Sequence, residues 1–235
     1  MAEATGGYQR ALVDALFHAG ISVAMVNATR VRQFARASGL LAKTNKLDAQ
    51  LLAVFGQRMQ PKRYEGKSEA EKQLSALLVR RKQLEEMLKA EKNRLRTIAS
   101  SLRGSVERMI AMLKEEKKSL EEQIEQFLKE QKDWQEQREI LSSAPGVGKV
   151  TNATLLADLP ELGKMDRKTK GGRTAVRSVL YMPTLVATRY NPVIQAQYQQ
   201  LLKRGKVKKV ALTACMRKFL TILNTMMRDQ QPFHV

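Results

Sequence analysis

From residue 68 to residue 139 the chain reads SEAEKQLSALLVRRKQLEEMLKAEKNRLRTIASSLRGSVERMIAMLKEEKKSLEEQIEQFLKEQKDWQEQRE, and everything else is arranged around it. Apolar residues recur at Leu74, Leu77, Leu84, Leu88, Leu95, Ile98 and Leu102 in steps of three and four with gaps. The rhythm resumes at Val106, Ile110, Leu113, Leu120, Ile124, Phe127 and Trp134. A helix turning every 3.6 residues gathers such positions into one stripe, the seam of a coiled coil. Arg81, Glu91, Lys117 and Gln131 fall on that seam. Breaks of this kind weaken a seam but set its register and its partners. Gly104, within Arg103-Gly104-Ser105, is a poor helix-interior residue. The stretch therefore reads as a helical hairpin turning at that point, with one bent helix as the alternative. A stalk of this length separates residues 1–67 from residues 141–235.

Charge follows the same division. The chain carries 42 Lys and Arg against 23 Asp and Glu, a net +19 with a pI of about 10.2. Residues 1–67 carry +6, residues 68–140 only +1, and residues 141–235 +12. A neutral stalk with basic ends points to a polyanion, because cations gain by releasing counterions condensed on phosphates. The plainer alternative is a basic surface that keeps the chain soluble. The 235 residues allow one or two compact domains besides the stalk, and an aromatic content of 5 % suits a helix-rich chain. One cysteine, Cys215, excludes an internal disulfide framework and a cysteine-built zinc site. With Leu212, Met216 and Leu220 around it, it reads as a buried, inert thiol in a reducing compartment, the cytoplasm. No apolar run is long enough for a membrane span and no signal peptide opens the sequence.

Before the stalk, a helix with Leu12, Ala15, Leu16 and Ala19 on one face ends at Gly20. Ile21 to Asn27 reads as a short buried strand. Arg30, Arg32 and Arg36 follow on a basic helix, then Lys43-Thr44-Asn45-Lys46-Leu47-Asp48-Ala49, with Pro61 and Gly66 marking the exit. Helix, strand and helix make part of an α/β domain, incomplete as written, since a parallel sheet needs several strands. Asn45 and Asp48 share a helix face, which taken alone reads as a solvated face or an N-cap.

After the stalk, Ala144-Pro145-Gly146-Val147-Gly148-Lys149 precedes an apolar helix from Ala153 to Leu159. Pro-Gly-x-Gly at a helix start is the mark of a helix-hairpin-helix turn, where Gly146 and Gly148 let backbone N–H groups meet a phosphate beside Lys149. A plain tight turn uses the same residues. Residues 163–173 are polar and basic, and include Lys170 and Arg173. Three helices follow at about 174–188, 192–203 and 207–228, the first interrupted by Pro183. Between the last two, Lys203, Arg204, Lys206, Lys208 and Lys209 put five charges in seven residues. Ser142, Ser143 and Ser178 read as capping or packing residues, and His18 and His234 as solvent-facing.

Several of these stretches together resemble one family. Glu3-Ala4-Thr5-Gly6-Gly7-Tyr8 is similar to its E-A-T-G-x-Y, Lys43 to Ala49 to its K-T-D-x-x-D-A, and Ala144 to Gly148 to its P-G-[IV]-G. Gly172-Arg173 through Arg177 to Leu180-Tyr181-Met182, and Lys208-Lys209-Val210-Ala211 with Met216-Arg217-Lys218, resemble its C-terminal blocks. The family is that of the DEDD-type insertion-sequence transposases related to the Piv/MooV invertases, the bridge-RNA-guided recombinases. The resemblance implies a mixed fold. Residues 1–67 would be a partial RuvC-like (RNase H-like) α/β domain and 68–140 a coiled-coil hairpin joining subunits. Residues 141–235 would be an α-helical transposase domain with the helix-hairpin-helix turn.

It also implies an RNA-guided DNA recombinase that pairs donor and target double-stranded DNA through a structured non-coding RNA, as a dimer or tetramer. Four carboxylates would bind Mg²⁺ near a serine that attacks the phosphodiester. Glu3 and Asp48 stand at two carboxylate positions and Asn45 at a third, so these three are the catalytic candidates. Arg32, Lys43, Gly146, Gly148, Lys149, Lys170, Arg173, Arg177, Lys203, Arg204, Lys206, Lys208, Lys209 and Arg217 are the nucleic-acid candidates. The sequence departs from the pattern in three places. A strand with the first aspartate, expected before Glu3, is missing. Asn45 brings no charge. Met165 to Lys170 crosses the serine loop without a matching serine. Either strands and loop are omitted from an active recombinase, or the chain is an inactive RNA- and DNA-binding assembly protein.

Overall fold

A computed structural model describes residues 1–3, 8–39, 45–159 and 174–234. These are mostly helical. Three of the basic candidates, Lys43, Lys170 and Arg173, lie outside the described residues, as does the expected serine-loop segment 163–173.

Residues 1–67 form one unit. Strand β1 (Ala2–Glu3) pairs in parallel with β2 (Met25–Val26), with Glu3 opposite Val26. Helix α1 (Gln9–His18) lies between them in sequence, and α2 (Ala28–Ala37) and α3 (Asn45–Met59) follow. Asn27 caps α2 through its Oδ1, which accepts the Thr29 N–H at 2.8 Å. Val31 and Ala35 of α2 close on Leu51 and Phe55 of α3 and Val26 of β2. Phe34 meets Phe55 edge to face at 5.4 Å, and the Arg30 guanidinium sits 6.0 Å from the Phe55 ring.

Two expectations are corrected here. The strand covers only Met25–Val26 rather than Ile21 to Asn27, because the Val23 carbonyl accepts the Tyr64 N–H at 2.7 Å. The exit segment thus holds that part of the run in place of a neighbouring strand. In α1 the inward residue is Val13, whereas Leu12, Ala15 and Ala19 are exposed, so the apolar row stays uncovered among the described residues. Gly20 ends the helix at φ +75°, as a glycine at that position allows.

Residues 68–235 form the second unit. Ser68 opens α4 (Glu69–Arg94) with a capping box: its Oγ accepts the Glu71 N–H at 3.1 Å and the Glu71 carboxylate accepts the Ser68 N–H at 2.8 Å. Helix α5 (Arg103–Glu130) runs back antiparallel to α4, so the hairpin is chosen over one bent helix. The turn occupies Leu95 to Leu102, closing with a 3-10 turn at Ser100–Leu102, one turn ahead of the expected place. Gly104 lies in the first turn of α5, where a glycine costs least because the first N–H groups have no intrahelical partner.

The seam is buried at Leu74, Leu84, Leu88, Val106, Ile110, Leu113, Leu120 and Ile124, and Leu128 near the end of α5 is buried as well. Arg81 crosses it to the Glu121 carboxylate at 2.7 Å and also pairs with Glu85 at 2.9 Å. Lys117 approaches the same Glu121, and Glu91 takes Arg94.

After α6 (Gln135–Ser143), helix α7 (Lys149–Asp158) is buried on every side from Thr151 to Ala157. Helices α4, α6 and α8 (Thr174–Tyr190) surround it. The base of the hairpin and the C-terminal helices therefore share one continuous core, from Leu74 through Leu155 to Met227. Asn191 caps α9 (Pro192–Lys203), its Oδ1 accepting the Ile194 N–H at 3.1 Å. Helix α10 (Lys208–Asp229) buries Ala211, Cys215, Phe219 and Leu223 at four-residue steps. The last three helices thus fall where the sequence placed them. Cys215 is buried, and burial raises its thiol above the usual value, so it is a protonated packing group. Past α10 the chain returns to α6, where the Phe233 N–H donates to the Ser143 Oγ at 2.7 Å.

Candidate metal and nucleic-acid sites

Glu3 and Asp48, forty-five residues apart in sequence, line one cavity of about 230 Å³. Strand β1 delivers Glu3, and α3 delivers Asp48 from its first turn. Arg32, on the exposed side of α2, lines the same cavity, with Val31, Leu51 and Leu52 as its apolar wall. Two carboxylates and a guanidinium beside an apolar wall suit an anion that arrives with a cation. Asn45 is the first residue of α3, and its side chain lies outside the described set. Among the described residues no group of three His, Cys, Asp or Glu could hold a metal. Among the described residues Glu3 and Asp48 stand there as a pair.

The Pro-Gly-Val-Gly turn is organised first by packing. Gly146 stands at φ +98°, and a Cβ added there would come within 2.4 Å of the Pro183 carbonyl oxygen. Only glycine fits, because the turn presses against α8 in the middle of that helix. Gly148 caps α7 without a side-chain hydrogen bond, and nothing lies within 4 Å of a Cβ built on it. Lys149 is exposed and faces the Glu125 carboxylate at 3.5 Å, which Arg138 also approaches at 3.6 Å. The serines of this region have structural partners: Ser143 Oγ donates to the Ile140 carbonyl at 2.6 Å, and Ser142 Oγ accepts from Asn152 at 2.8 Å. His18 and His234 are exposed.

Lys203, Arg204 and Lys206 are exposed at the junction of α9 and α10, with Lys208 and Lys209 in the first turn of α10. Gly205 turns the chain at φ +74° so that the Lys206 N–H reaches the Leu201 carbonyl, which folds the five cations around one corner. Arg177 and Arg217 are exposed on α8 and α10.

Residues 1–102 match the family model of the IS110-type DEDD transposases, described as transposases. Over that stretch the chain is similar to the DEDD transposases. Over 98 % of its length the chain is 27 % identical to the pilin gene-inverting protein of Moraxella lacunata, covering 80 % of that protein. The same identity and coverage hold for the pilin gene-inverting protein of Moraxella bovis. The comparisons thus set the chain beside transposases and gene-inverting proteins. The family match runs from β1 to the turn of the hairpin, so it contains Glu3, Asn45 and Asp48.

The chain has one further charge feature, which a count of basic residues alone does not bring out. Between Asp166 and Asp229 there is no acidic residue at all, while Thr174 to Arg228 alone holds ten Lys and Arg. Counting acids as well as bases adds Arg189 and Lys218 to the candidate surface. No helix among the described residues is long and apolar enough to cross a membrane.

Proposed function

We propose that the chain is an RNA-guided DNA recombinase whose Glu3 and Asp48 hold Mg²⁺ jointly with a DNA phosphate. The observation that carries the reading is the meeting of Glu3, Asp48 and Arg32 in one cavity. Mg²⁺ takes oxygen ligands, keeps several waters, and is commonly held by one or two carboxylates plus phosphate oxygens, so this donor pair fits it. Bound there, the ion would supply positive charge to the phosphate under attack and lower the pKa of a hydroxyl beside it. Arg32 would grip a second phosphate oxygen, and the Leu51 and Leu52 wall would limit water. Double-stranded donor and target DNA would lie along the basic corner from Lys203 to Lys209, with a structured guide RNA sharing the acid-free span from Thr174 to Arg228. Self-association into a dimer or tetramer through the coiled-coil hairpin is part of this reading, supported by exposed Val79, Met87, Met109 and Met112 on α4 and α5.

The attacking serine of the family has no counterpart in residues 163–173. The alignment with the M. lacunata protein spans 259 positions, whereas 98 % of this chain is about 230 residues. The relative therefore carries roughly thirty residues opposite gaps in this chain, which supports an omitted internal segment. A second reading, an inactive RNA- and DNA-binding assembly protein, is favoured by Asn45, an amide at the sequence position where the family has a carboxylate.

Manganese titration followed by electron paramagnetic resonance tests the site, with and without DNA. Weak binding that tightens when DNA is added, and that is lost in Glu3→Gln and Asp48→Asn, supports it; binding indifferent to both substitutions would falsify it. Intact mass with peptide mapping across Asp158 to Arg177 separates the two readings. Additional peptides support the recombinase, and an unbroken peptide from Met165 to Arg173 supports the binder.

A further inference from the structure

We infer that the outer face of α8 stacks the unpaired bases of a nucleic-acid strand on Tyr181 and Tyr190; this rests on the nucleic-acid reading above. Helix α8 turns Val176, Leu180 and Ala187 into the core. Its other side exposes Tyr181, Met182, Val186 and Tyr190, the last at 69 %. Met182, Val186 and Tyr190 follow one another at four-residue steps and so form a row, with Tyr181 on its flank. Arg177 lies one turn before Tyr181 and Arg189 next to Tyr190, both exposed. Tyr198, on the neighbouring helix, packs against the core instead. Neither Tyr181 nor Tyr190 has a ring contact among the described residues.

The surrounding charge decides what such rings are for. A face meant for another protein has no reason to shed every acid, yet no Asp or Glu occurs anywhere from Thr174 to Arg228. Rings set among cations suit a strand whose phosphates meet the arginines while its bases lie flat on the tyrosines. In a duplex the bases offer only their edges, so this face would favour unpaired segments.

The test is fluorescence anisotropy on the full chain. One labelled sequence is presented as single-stranded RNA, as single-stranded DNA and as duplex DNA. The double variant Tyr181→Ala/Tyr190→Ala should bind both single strands about tenfold or more weakly, with duplex affinity held within about twofold. Its salt slope should not change, because stacking releases no counterions. The Phe counterparts should restore single-strand binding, and thermal melting should be unaltered since both side chains are exposed. Equal losses on strand and duplex, or no loss, overturn the inference. So does a double variant that binds every probe normally but shifts in mass by light scattering, which would give the face to a second protein chain. A wild-type chain that binds duplex but not single strands overturns this inference alone. One that binds no probe overturns the nucleic-acid reading with it.

Discussion

At Gly146 a methyl group has no room. Placed 2.4 Å from the Pro183 carbonyl oxygen, a Cβ would force the turn off α8, and the left-handed φ adds strain for any other residue. Gly146→Ala should therefore lower unfolding stability by about 2 kcal/mol or more, read by urea denaturation. If the glycine served phosphate contact alone, the substitution would reduce DNA affinity and leave the midpoint of denaturation where it was. Cys215 makes a second residue-scale prediction. Its raised pKa and burial should leave it unmodified by iodoacetamide at neutral pH until denaturant is added. Alkylation of the native chain at the rate of the unfolded one would contradict the packing given for α10.

The hairpin shows at the level of whole helices what a charged seam residue does. Arg81 reaches Glu121 across the interface while its own side chain is only 14 % exposed. Removing either partner leaves the other with its remaining ion pair, Arg81 with Glu85 or Glu121 with Lys117, so Arg81→Ala and Glu121→Ala should each destabilise by about 0.5–1 kcal/mol. The double variant should lose less than the sum of the two, and strict additivity in the cycle would deny the coupling. The helices themselves were legible because their signals are local. A three-four apolar rhythm and a helix-ending glycine such as Gly20 lie within a turn or two of what they specify. The turn at Leu95 to Leu102 was misplaced because Gly104 is tolerated in a first helical turn, which propensity alone does not reveal. Likewise the inward face of α1 depends on what lies against it, so the row of Leu12, Ala15, Leu16 and Ala19 does not reveal that Val13 is the buried residue. Glu3 and Asp48 were readable only by resemblance; their shared cavity comes from strand pairing across the whole unit.

For the molecule as a whole, the proposed attraction to polyanions rests above all on the absence of acidic residues from Thr174 to Arg228. Changing Lys203, Arg204, Lys206, Lys208 and Lys209 to Gln should weaken duplex binding and reduce the magnitude of the log–log salt slope by up to about 4.5. An unaltered slope in filter binding across a salt series would remove that corner from the interface. Burial of α7 on all sides has a different consequence, which concerns how the protein is made. A helix with no outer face has no stable half-docked state, so it settles only once its neighbours are present. Those neighbours are α4, synthesised early, and α8, synthesised late. During translation Leu74 and the other residues at the foot of the hairpin wait, uncovered, for most of the second unit to emerge. The chain's most vulnerable moment is thus on the ribosome, and chaperone demand should fall on the hairpin foot before α8 arrives.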